Sequence, residues 1–129
     1  MPRKVTTLAL LGALALAAPA AAPAADTGAG PEATASKSCS LAGKTRSLGP
    51  TYTTSLSVRN TSCRSGRRLV RGWNACRRAN GGADGRCRSR VLGYRCSESR
   101  SNVIRTQFDA RVSCRKGSRR INHRYTQFT

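Results

Sequence analysis

The side chains able to do chemistry in this chain are few. Six cysteines stand at Cys39, Cys63, Cys76, Cys87, Cys96 and Cys114, and His123 is the single histidine. The cysteine intervals are 24, 13, 11, 9 and 18 residues. None is the tight C-x-x-C pair that structural zinc sites usually show, so no metal and no cofactor is expected. Acid–base cleavage of RNA is the sharpest enzymatic chemistry these residue types allow. Glu98 would take the 2′-hydroxyl proton, His123 would protonate the leaving oxygen, and Arg95 or Arg124 would hold the phosphate. His123 alternates in phase with Ile121 and Tyr125, however, and reads as a partly buried strand residue. There is no G-x-S-x-G nucleophile motif.

The stronger chemical signal is charge. The chain of 129 residues carries 24 Lys and Arg against five Asp and Glu, a formal net charge of +19. Such a surface concentrates anions, and nucleic acid, acidic polymers and anionic lipid are the partner classes it favours. Arg64, Arg68 and Arg71 fall at helical steps on one face and are the candidate anion-binding residues. Their guanidinium forks match phosphate or sulfate oxygens. The Ala, Gly and Arg content also suits a GC-rich genome, whose codon bias raises arginine without any ligand. Stacking on single-stranded bases is not indicated, because Trp73 lies on the apolar helix face and Tyr94 reads as core. Two further classes rest on less. A basic amphipathic helix can bind membranes, but its apolar stripe is needed by the fold. A loop over 80–86, closed by a disulfide, could enter a protease cleft. The expectation is therefore a non-catalytic, monomeric protein that binds anionic polymers or surfaces, with a ribonuclease-like enzyme using Glu98 and His123 as the alternative.

The elements that must position these residues begin after a leader. Arg3 and Lys4 precede an uncharged Leu/Ala-rich run over 5–18, and Ala22-Pro23-Ala24 offers a signal-peptidase site. Residues 1–24 read as a signal peptide and 25–38 as a flexible tail. Loss of Arg3 and Lys4 takes the formal charge from +19 to +17. Residues 39–129 form the domain, and its expected location is secreted. Apolar residues are sparse for that charge, a balance that usually means disorder. An even cysteine count in an exported chain argues instead for a disulfide framework that replaces a large core. Cys76 and Cys87, eleven apart across a glycine-rich segment, are the favoured local pair, stabilising by about 3 kcal/mol through loop closure.

Tyr52, Thr54, Leu56 and Val58 alternate with polar residues and predict a strand over 52–60. Asn60-Thr61-Ser62 supplies a helix cap, and also matches a glycosylation sequon. Cys63, Gly66, Leu69, Val70, Trp73 and Cys76 predict an amphipathic helix over 63–78. A loop follows over 79–90, then a short strand over 91–96 and a polar turn over 97–105. Phe108, Ala110, Val112 and Cys114 face in along a strand over 107–114. Arg115-Lys116-Gly117-Ser118 is a hairpin turn into a last strand over 120–128. The expected fold is α+β, disulfide-stabilised. One helix packs on a small antiparallel sheet, in the order strand, helix, three-stranded meander.

The motifs Val58-x-Asn60-x-Ser62-Cys63, Gly93-Tyr94-Arg95-Cys96 and Val112-x-Cys114-Arg115-x-Gly117, with Cys39 upstream, span about 39–125. In this the chain resembles small exported cysteine-containing domain proteins of unknown function from actinobacteria and other GC-rich bacteria. The resemblance implies a secreted α+β domain with four cysteines, and no activity, ligand or catalytic residue. Cys76 and Cys87 depart from that pattern as an added pair. The other four cysteines allow three connectivities.

Overall fold

The computed structural model describes residues 34–129. The expected signal peptide over 1–24 and most of the expected tail over 25–38 lie outside the described residues. The chain order is β1 (Lys37–Ser38), β2 (Tyr52–Arg59), α1 (Cys63–Ala79), a single 3-10 turn (Gly82–Asp84), β3 (Arg95–Ile104), β4 (Gln107–Lys116) and β5 (Arg119–Phe128). The strands make one antiparallel sheet in the order β1-β2-β5-β4-β3. The fold is thus α+β with three disulfides, but its sheet has five strands, where strand, helix and three-stranded meander predict four. The added strand is β1, at the end of the predicted tail. Lys37 and Ser38 pair with Val58 and Ser57 there.

Helix α1 forms where the apolar period and a cap coincide. Ser62 is extended and its side chain accepts from the Ser65 backbone N–H, satisfying one of the free donors of the first turn. Gly66, Leu69, Val70 and Trp73 are buried against the inner face of the sheet. A Cβ on Gly66 would stand 2.9 Å from Val58 Cγ1. Only glycine lets the helix approach β2 that closely. The inner face supplies Leu56, Val58, Phe108, Ala110, Val112, Cys114, Ile121 and Tyr125 to the same core.

The disulfides are Cys39–Cys63, Cys76–Cys87 and Cys96–Cys114, and no cysteine is free. The first ties the strand that leads into the sheet to the helix start. The second ties the helix end to the loop beyond it. The third joins residues directly opposite on β3 and β4. Bridges of this kind belong to oxidising compartments.

Three strand assignments differ from expectation. Of the strand expected over 91–96, only Arg95 and Cys96 are extended, as the start of β3; 91–94 is a tight turn, with Val91 and Tyr94 exchanging backbone hydrogen bonds of 3.0 and 2.9 Å. Leu92 and Gly93 hold the positive φ values that such a turn needs. The predicted polar turn over 97–105 is almost all strand β3. Its inward positions carry Cys96, Glu98 and Arg100 rather than aliphatic residues, so no apolar alternation marks it. In β2, register slips between Thr53 and Ser55. That bulge buries Thr53 and exposes Thr54, shifting the phase expected for the first half of the strand.

Candidate functional site

Glu98 and His123 share one cross-strand row, with Val112 of β4 between them. The row lies on the inner face, where α1 covers it. The Glu98 side chain is only 4% exposed and forms ion pairs with Arg100 and, at 3.8 Å, with Arg86. Its other oxygen accepts from the Tyr125 hydroxyl at 3.0 Å. Burial, with help from the neighbouring carboxylate, pushes the Tyr125 hydroxyl pKa up despite the guanidiniums of Arg77 and Arg100. Glu98 is therefore the counter-ion that binds the edge strand to the 3-10 turn. Arg100 continues that link by donating to the carbonyls of Asp84 and Gly85.

His123 is 1% exposed and neither ring nitrogen has a hydrogen-bond partner. Burial, aided by repulsion from the Arg77 guanidinium, depresses its pKa to about 3. A neutral imidazole sealed beneath a helix has no route to a leaving oxygen. The two side chains proposed for RNA cleavage are thus both closed off. Arg95 and Arg124, proposed to hold the phosphate, stand on the opposite, solvent face of the sheet.

A buried arginine, Arg77, went unseen in the sequence because its position sits one step past the apolar stripe. It is 0% exposed. The guanidinium donates to Ala83 O (3.1 Å), Gly85 O (3.5 Å), Asn74 Oδ1 (3.2 Å) and Gln127 Oε1 (2.9 Å). It also lies 4.7 Å from the Tyr125 ring centroid. Desolvation is the main influence lowering its pKa. Arg77 pins the loop closed by Cys76–Cys87 to the last strand, which is a structural task.

Arg64, Arg68 and Arg71 are exposed along the outer side of α1, with Arg78 further along the same side. Arg71 donates from Nε to Ser47 O at 3.5 Å. The helix presents them as a convex stripe.

The larger basic surface is the outer face of the sheet, and the register builds it. Arg59, Arg120, Arg115 and Arg95 lie directly opposite one another across β2, β5, β4 and β3. Two residues along, Ser38, Ser57, Asn122, Ser113 and Ser97 form the next row across all five strands. Two further, Ser55, Arg124, Arg111 and Ser99 form a third. Six arginines thus occupy two rows separated by a row of hydroxyls and one amide. No carboxylate lies in the three rows, and none of the six makes a salt bridge among the described residues. Like charges directly opposite across strands oppose pairing by up to ~1 kcal/mol each. Asp109 stands in the next row, held by Asn102 and Thr126, whose hydrogen bonds lower its pKa.

Shallow depressions follow these rows. One, about 650 Å³, runs between the serine row and the Arg111–Arg124 row. Glu98 and His123 border it, with their side chains turned to the other face. A second, about 350 Å³, lies between Arg95, Arg115 and Arg120 on one side and Ser97 and Ser113 on the other. Arg111, Arg120 and Arg124 were visible in sequence as positions alternating with the inward residues of the last two strands, whereas Arg115 reads as part of the hairpin turn. Their alignment into rows was not visible, because it depends on pairing.

No protein family, curated protein or solved structure matches this chain.

Proposed function

We propose that this chain is a secreted, monomeric, non-catalytic basic protein that binds anionic polymers or surfaces at or outside the cell envelope. The observation that carries the reading is the pair of in-register arginine rows on the outer face, with no carboxylate in either row or in the row between them. Codon bias raises the number of arginines but does not set their register. A sheet that stacks like charges without counter-ions is relieved when an anion binds, because the repulsion then becomes attraction. Arg64, Arg68 and Arg71 add a second, convex basic surface on the opposite layer. The leader over 1–24, the three disulfides and the resemblance to exported bacterial domains support export.

The test is retention on immobilised heparin and DNA by the oxidised protein. Arg111→Gln with Arg124→Gln is expected to move elution to clearly lower salt on both. Equal shifts from any pair of exposed arginines would make net charge the whole explanation. Failure to be retained by either polymer at 50 mM salt, where phosphate contacts are strong, would end the polymer reading.

A further inference from the structure

We infer that the polymer seated on the outer sheet face is a nucleic acid duplex, gripped through its two phosphate backbones; this rests on the anionic-polymer reading above. The first argument is spacing. Arg111 and Arg115 are four residues apart on β4, as are Arg120 and Arg124 on β5. At 3.3–3.4 Å per residue the two arginine rows stand about 13 Å apart. A minor groove about 6 Å wide, with about 3 Å of phosphate on either side, puts the facing backbones about 12 Å apart. The two rows therefore meet two rails. A single flexible polyanion would have to bend to reach both rows, at an ordering cost that a preorganised duplex avoids.

The second argument is what lies between and around the rows. The middle row of Ser57, Asn122 and Ser113 would face the groove mouth, offering hydrogen bonds without charge. None of the three rows contains an aromatic residue. Proteins that hold single strands stack bases on aromatic rings, and these three rows offer none. Tyr52 and Phe128, further along the strands, pack edge to face on each other at 5.7 Å. Guanidinium forks, matched to phosphate oxygens, position a backbone without reading sequence. Binding should therefore be insensitive to base sequence.

Fluorescence anisotropy with a labelled 20-base-pair duplex of mixed sequence, its single strand and unlabelled heparin as competitor tests this. Engaging about four phosphates gives a log–log salt slope of about −4 between 50 and 200 mM salt. The duplex should bind at least fivefold tighter than the single strand at 100 mM salt. Arg111→Gln with Arg124→Gln should weaken duplex binding at least tenfold and flatten the slope by about 2. Arg78→Gln with Arg88→Gln, which removes the same charge from exposed positions outside the sheet, should change it less than threefold. Near-UV circular dichroism checks that the variants fold, and the duplex preference of the unaltered protein needs no variant. If the single strand or heparin binds as tightly as the duplex, or the Arg78/Arg88 variant loses as much as the sheet variant, the duplex inference is wrong while polyanion binding stands. Absence of binding to all three at 50 mM salt removes both.

Discussion

Stability should fall steeply with acid because of one residue. His123 is the single histidine of the chain. Folding seals it among apolar neighbours with no hydrogen bond, and its pKa drops from 6.5 to about 3. Between these values the unfolded chain holds a proton that the folded chain does not. Stability therefore rises with pH across the window: it is fully present above pH 6.5 and drains away as pH falls toward 3. Each unit of pH at full slope is worth about 1.4 kcal/mol. From pH 6.5 to 4.5, with carboxylates beginning to titrate only at the lower end, the loss should reach about 2–3 kcal/mol. Urea unfolding of the oxidised protein followed by Trp73 fluorescence at half-unit steps of pH measures it. His123→Phe removes the titration and, since the imidazole makes no hydrogen bond, leaves no partner stranded. That variant should hold its midpoint flat from pH 6.5 to 4.5. A wild-type midpoint that does not move over this range, or an equal slope in His123→Phe, would refute a sealed neutral histidine.

Other elements lend themselves to the same kind of test. Arg77→Met should cost about 3 kcal/mol or more in urea unfolding, since buried acceptors on Asn74, Gln127 and the 3-10 turn lose their donor. Amide exchange in 82–86 should quicken in the same variant. Cys76→Ser with Cys87→Ser opens an 11-residue span and should lower stability by about 3 kcal/mol, without altering the other two bridges seen by peptide mapping. Gly66→Ala should destabilise by about 1 kcal/mol despite the better helix propensity of alanine. The new methyl would meet Val58 at 2.9 Å, and a raised melting temperature would show that α1 can back away from β2.

Much of this architecture was legible one element at a time. The steps of three and four from Gly66 to Trp73 marked α1, Ser62 marked its start, and Phe108 to Cys114 and Ile121 to Tyr125 marked two strands with their inward phase. Each of those signals is local: a side chain repeats at the period of the element that carries it. Strand β3 was hidden because its inward positions hold Glu98 and Arg100, charged residues that pair with each other and are buried by partners far along the chain. Arg77 was hidden for the same reason, its acceptors lying on the loop and on Gln127.

What the amino-acid order by itself determined is the stock of parts: six cysteines in an oxidisable set, a capped amphipathic helix, outward arginines and a large positive charge. What only the tertiary structure decided is who faces whom. The register of β2, β5, β4 and β3 gathered scattered arginines into two rows, turned Glu98 and His123 away from solvent, and joined Cys96 to Cys114, while docking of β1 beside β2 brought Cys39 to Cys63. Pairing between strands is a long-range choice, and a slip of one residue would send every side chain of a strand to the other face.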